Sequence, residues 1–221
     1  MQQLFNLRTH RAPLAAVCLA LLAVRAQAQP LADFGAETPS SDTRQIAHWV
    51  LASDDHHGHP FAIVDKKAAR LFVFGANGRL LGATPALLGQ TPGDQGLNDM
   101  EGRTPAQLLP AERTTPAGRF ASEPGHNVQG EAVVWFSYEA ALAIHRLRPA
   151  PAQERRPQRL MSDTPDDNRI SLGCVIVGPG FYDAIVAPVL GRQRGVVYVL
   201  PETRPVQSLF AQARQLAMLG R

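Results

Sequence analysis

Cys174 closes the run Ser171-Leu172-Gly173-Cys174, and a thiol next to a glycine suits nucleophilic attack on a carbonyl. Glycine lets a substrate approach the backbone closely, and amide N–H groups at such a bend can face a developing oxyanion. A free thiol is only slightly ionised at neutral pH, so a working cysteine needs a base or a positive charge beside it. Histidine is the usual base. Beyond residue 28 the chain offers His48, His56, His57, His59, His126 and His145. His145 is the expected partner, because it falls in an expected strand that ends at a polar loop leading back to the cysteine. His126 is next in line. Without the thiol, His145 would read as a core histidine with its ring satisfied by backbone.

The other cysteine, Cys18, lies in an expected export signal over residues 1–28. Arg8 and Arg11 precede an apolar stretch over 12–24, Arg25 closes it, and Ala26-Gln27-Ala28 offers small residues for cleavage after Ala28. That stretch is too short to span a bilayer comfortably, so no stable membrane span is expected after cleavage. An exported chain with one remaining thiol cannot close an internal disulfide, which favours a chemical use for Cys174. The formal charge of +3 comes from the signal: removing its three arginines leaves 22 − 3 = 19 basic against 19 acidic residues. A formally neutral remainder gives no support to nucleic-acid binding. The remaining 221 − 28 = 193 residues suffice for one ordinary core.

The elements that must position the thiol follow from pattern. Residues 29–41 carry Pro30, Pro39, Ser40 and Ser41 and read as a flexible leader to a single domain over 42–221. Ile46, Trp49 and Val50 predict a helix over 43–52 with Asp42 as its N-cap. The loop that follows holds His56, His57 and His59, which make no convincing ligand set, so no metal is expected. Strands are expected over 61–64, 71–74 and 79–83, the last two joined by Asn77-Gly78, a strong hairpin signal. A Gly- and Pro-rich excursion over 89–116 precedes strands over 119–121, 132–138 and 141–147. Four prolines exclude residues 148–168 from a sheet and make them a loop or lid. A strand over 170–177, a helix over 181–190 and a strand over 195–200 complete the pattern. The last is almost continuously apolar and should be central. Val206, Leu209, Phe210, Ala213, Leu216 and Ala217 fall on one face of a C-terminal helix. The class is mainly β, with a few flanking helices that include one near each end.

His145, a loop and Ser171-x-Gly173-Cys174 resemble the signature of the L,D-transpeptidase catalytic domain of the YkuD type, a histidine followed by Ser/Thr-His-Gly-Cys. Phe61-Ala62-Ile63-Val64-Asp65 with Arg70-Leu71-Phe72-Val73-Phe74 resembles that family's opening hairpin. Thr115-Pro116-Ala117-Gly118-Arg119-Phe120 matches its Thr-Pro-x-Gly-x-Phe element, so the resemblance covers about residues 60–202. It implies a β-sandwich or barrel, Cys174 as nucleophile and His145 as its base. Ser171 and Gly173 would shape the turn, and Arg169 and Arg146 would bind substrate or shape the site. It further implies peptidoglycan stem peptides as partners, a periplasmic or cell-wall location, and no metal or organic cofactor. Arg146, Arg148, Arg155, Arg156 and Arg159 are suited to the carboxylates of such peptides, or else form a solvated surface with Glu154 and Asp163.

Leu172 stands where the commonest pattern has a second histidine, and Ile176 stands where many members carry Arg or Asn. The loop between His145 and Ser171 is longer than usual. The implied reaction is acyl transfer through a thioester. An L,D-carboxypeptidase or cross-link hydrolase would use the same site, and a non-catalytic wall-binding module would keep only the groove. A redox sensor would lack a resolving cysteine. A papain-like hydrolase would place its cysteine early and on a helix.

Overall fold

Period-two side-chain alternation sorts the strands. In β1 (Phe61–Asp65) and β2 (Arg70–Phe74), Phe61, Ile63, Phe72 and Phe74 join one apolar cluster while Ala62, Val64, Leu71 and Val73 join another. Strands with two covered faces need apolar residues on both, which Phe61 to Val64 and Leu71 to Phe74 supply. The computed structural model describes residues 30–210. The expected export signal and the expected C-terminal helix beyond Phe210 lie outside the described residues.

The remaining strands are β3 (Leu80–Pro85), β4 (Leu88–Gly89), β5 (Gly118–His126), β6 (Ala132–Ser137), β7 (Leu142–Arg146), β8 (Arg169–Ser171), β9 (Val175–Val177) and β10 (Gly195–Val199). Eight of the ten strands form one mixed sheet in the order β3-β2-β1-β10-β5-β6-β7-β9, and β4 pairs with β8 apart from it. The β1–β10 and β7–β9 pairs are parallel. Leu71 and Val73 of β2 share a cluster with Val175 and Val177 of β9, although the two strands lie far apart in the sheet order. The sheet therefore curls into a nearly closed, barrel-like shape around one interior. Fully buried β10 sits between β1 and β5, as its apolar run predicts. Outside β1, β2 and β10, helix α1 (Ser41–Ser53) seals the second cluster with Ile46, Trp49 and Val50. The fold is mainly β.

Several elements differ from expectation for local physical reasons. Helix α1 is capped by Ser40, whose hydroxyl accepts the Thr43 N–H at 3.1 Å, while Asp42 lies in the first turn and pairs with Lys67. The segment expected as a loose leader is bound down from Ala32 onward. Phe34 is buried with its ring edge-on to Phe74 at 5.5 Å, and Asp33 bridges Arg79. The expected strand over 170–177 is broken at Gly173, whose φ of +127° no regular strand accommodates. The crossover over 148–168 stays out of the sheet but contains helix α2 (Arg156–Leu160). The expected helix over 181–190 is one helical run made of α3 (Pro179–Phe181), a π segment (Tyr182–Val186) and α4 (Ala187–Val189). Pro188 has no N–H to donate to the preceding turn, which accounts for the wider winding before it. Helix α5 (Val206–Leu209) begins the last expected element.

A buried charge cluster ties the long excursion to the sheet. The ammonium of Lys66, fully buried just after β1, donates to the Gly93 carbonyl, to Asp94 Oδ1 at 3.1 Å and to the Thr115 carbonyl at 3.0 Å, with Glu202 3.4 Å away. Asp94 also accepts the Glu202 N–H at 2.7 Å and the Thr203 hydroxyl at 2.5 Å. Burial would raise the Asp94 pKa, but these donors and Lys66 outweigh it and hold the carboxyl at about 2.

Candidate active site

Because Ile144, Val175 and Val177 fill the barrel interior, their neighbours in sequence must face outward. His145 pairs with Ile176 in the parallel β7–β9 ladder. Cys174, two residues before Ile176, thus lies on the same side as His145 and one diagonal step away. Both line a cavity of about 430 Å³ on the outer face of the sheet. Val133 and Trp135 of β6, Ala143 of β7 and Ile176 of β9 form its floor. Met100, Pro105 and Leu108 of the excursion, Asn127, Val128 and Gln129 of the β5–β6 turn, and Arg148, Arg156 and Leu172 complete its walls.

The turn that carries the sulfur is held by hydroxyls. Ser171 Oγ accepts the Gly173 N–H at 3.1 Å and donates to the Cys174 carbonyl at 2.7 Å, so one side chain closes the bend. Buried Thr115 Oγ accepts the Gly89 N–H and donates to the Gly173 carbonyl, both at 2.9 Å. A Cβ on Gly173 would stand 2.7 Å from Leu142 Cδ2 and 3.0 Å from the Thr114 carbonyl oxygen. Gly173 is therefore needed for both its dihedral and its space. Its N–H, one of the amides expected to face an oxyanion, is occupied by Ser171.

His145 is 8 % exposed, and its Nδ1 lies 2.8 Å from the Arg146 carbonyl oxygen. Since a carbonyl only accepts, Nδ1 carries the proton and Nε2 is left as the basic nitrogen. Burial, aided by the Arg148 and Arg156 guanidiniums, lowers the His145 pKa to about 4 against the opposing pull of the Arg146 carbonyl and Glu131. Half-buried Cys174 donates its thiol to the Ala141 carbonyl at 3.6 Å. Burial raises its pKa, more than the Ala143 amide and Arg148 lower it. At neutral pH the resting pair is therefore an uncharged imidazole and an uncharged thiol. In that state Nε2 of the imidazole can accept a proton, and the thiol would need such a base to act as a nucleophile.

Of the residues singled out by sequence, the cavity brings together Cys174, His145 and Ser171, with Gly173 shaping the turn. Arg146 and Arg169 are engaged elsewhere. Arg146 pairs with Asp183 and covers the Tyr182 ring at 4.1 Å, while Arg169 pairs with Glu202 and donates to the Lys66 carbonyl at 2.8 Å. Arg155 and Arg159 line a separate surface depression. The cavity's histidine among the described residues is His145, and His126 lies exposed at the end of β5. His56 is buried against Phe61 with Nε2 at 2.9 Å from the Ala76 carbonyl oxygen. Sequence reasoning missed the grip of Thr115 on Gly173. The Thr-Pro-x-Gly-x-Phe element contained that threonine, but only the fold places its hydroxyl 58 positions along the chain from its acceptor.

A thiol and an imidazole share one cavity on the outside of a curled β-sheet, an arrangement able to carry acyl transfer through sulfur. No family model matches the sequence, and no curated protein does. Among solved structures, the chain is similar to the L,D-transpeptidase from Xylanimonas cellulosilytica, with 19 % identity, 64 % of this chain and 60 % of that one covered, and a TM-score of 0.39. The chain thus spans about 60 % of the length of that structure. It is also similar to the catalytic domain of the L,D-transpeptidase from E. faecium, with 14 % identity, 65 % of this chain and 98 % of that one covered, and a TM-score of 0.35.

Proposed function

We propose that the protein is an exported L,D-transpeptidase that acts on peptidoglycan stem peptides through a thioester at Cys174. The observation that carries this reading is that Cys174, immediately before β9, and His145 of the neighbouring parallel strand β7 open onto one cavity. His145 Nε2 takes the thiol proton as the sulfur attacks the carbonyl carbon of the donor peptide. The S–C bond forms, the C–N bond breaks, and the leaving amine departs with the proton held by the imidazolium. An amine of a second stem peptide then attacks the thioester carbonyl, His145 takes a proton from that amine, and the C–S bond breaks with the proton passed from the imidazolium back to the sulfur. Water in place of the amine gives the carboxypeptidase or hydrolase outcome from the same intermediate. Leu172, which lines the cavity where the commonest motif has a second histidine, leaves His145 to handle both proton transfers.

The test is incubation of the purified protein with tetrapeptide-bearing muropeptides, with products and the intact protein read by mass spectrometry. A thioester on Cys174 and a cross-linked or exchanged product are expected, both lost in Cys174→Ala. Absence of an acyl adduct and of any product with the wild-type protein would sink the proposal.

A further inference from the structure

The cavity around Cys174 carries a charge pattern that attack on a carbonyl does not itself require. Its lining includes Arg148 and Arg156 but, among the described residues, no Asp or Glu. Each arginine is anchored through Nε, Arg148 to Glu131 at 2.6 Å and Arg156 to Glu154. Anchoring by Nε fixes the plane of a guanidinium, and among the described residues the terminal nitrogens of both make no hydrogen bond. Two oriented guanidiniums with unused donors match the geometry of a carboxylate. The rest of the lining includes apolar Met100, Leu108 and Trp135 and uncharged Asn127 and Gln129.

We propose that Arg148 and Arg156 form a carboxylate subsite beside Cys174, so that the cavity takes acyl donors with a carboxylate close to the carbonyl that the sulfur attacks. This rests on the acyl-transfer reading of the cavity and adds to it the charge of the donor. The apolar lining of the cavity takes the uncharged part of the same donor. The charged groups facing His145 are Arg148, Arg156 and Glu131, and the one facing the sulfur is Arg148. A bound carboxylate would offset both guanidiniums and make the imidazole a stronger base when the donor is in place.

The subsite can be probed without the natural donor. Iodoacetate and iodoacetamide alkylate a thiolate by the same displacement, with an S–C bond formed and iodide released, and they differ in carrying a carboxylate or a neutral amide. Their rate ratio at Cys174, read by mass spectrometry of the full chain, cancels any change in thiolate fraction. Replacing Arg148 or Arg156 by Gln should lower the iodoacetate-to-iodoacetamide ratio on the order of five- to tenfold each. Arg155→Gln, whose side chain lines a different depression, should keep the wild-type ratio. An unchanged ratio in both Arg148→Gln and Arg156→Gln would overturn the subsite and leave the acyl-transfer reading standing. An equal fall in Arg155→Gln would also overturn it, assigning the preference to the general field of the loop. Failure of both reagents to label wild-type Cys174 would defeat the acyl-transfer reading and the subsite together.

Discussion

Alkylation of Cys174 as a function of pH separates two kinds of cysteine site, and the structure commits to one of them. Burial places the Cys174 thiol above its ordinary value of 9.0, and His145 titrates at about 4. Sulfur and imidazole therefore do not form a resting ion pair. A thiol of pKa 9 is about 1 % ionised at pH 7, and Cys174 should be less ionised still. With the neutral reagent iodoacetamide, the rate should rise about tenfold per pH unit from about pH 6 to about pH 8.5, with no shoulder below neutrality. The His145→Asn variant should show the same slope, because the neutral ring adds no charge to the resting sulfur. Acyl transfer from a peptide donor should nevertheless fall on the order of 10²- to 10⁴-fold in that variant, since the base is needed once the carbonyl is in place. Stopped-time labelling with peptide mapping measures the first effect and thioester formation the second. A rate plateau between about pH 5 and about pH 7, the mark of a thiolate–imidazolium pair, would refute the argument.

Two further outcomes follow from the packing. Thr115→Val removes the hydroxyl that joins Gly89 to Gly173 while keeping the side-chain shape, and should cost about 1–3 kcal/mol in urea unfolding and slow labelling of Cys174, with Thr115→Ser restoring both. Asp94 is held at about 2, below its ordinary 3.8, so its stabilisation is fully present above pH 3.8 and is lost as pH falls toward 2. That contribution is about 2 kcal/mol, and Asp94→Asn should flatten the acid limb of a stability-against-pH curve measured by denaturant unfolding.

Much of the scaffold was legible because period-two alternation and turn residues are local signals. The Phe61–Asp65 and Arg70–Phe74 strands, the all-apolar Gly195–Val199 strand and the helix around Trp49 all express such patterns. The break at Gly173 was less legible, because the apolar residues on either side of the bend continue the strand pattern while the dihedral of one glycine interrupts it. The bound-down leader was missed for a related reason: a single buried aromatic, Phe34, anchors a segment whose composition reads as loop.

Sequence alone determined which groups could do chemistry: one thiol after a glycine, and a histidine in a strand. It also supplied the serine that closes the cysteine turn, since that contact spans only two or three residues. Only the tertiary structure decided which arginines reach the cavity. Arg146 and Arg148 are near neighbours in the chain, yet a strand end and the loop beyond it send one to Asp183 and the other into the cavity. The pairing of His145 with Ile176, and hence its nearness to Cys174, is likewise a long-range parallel register. Such register is set by which residues of both strands the barrel interior must bury, and no stretch of sequence read by itself contains that information.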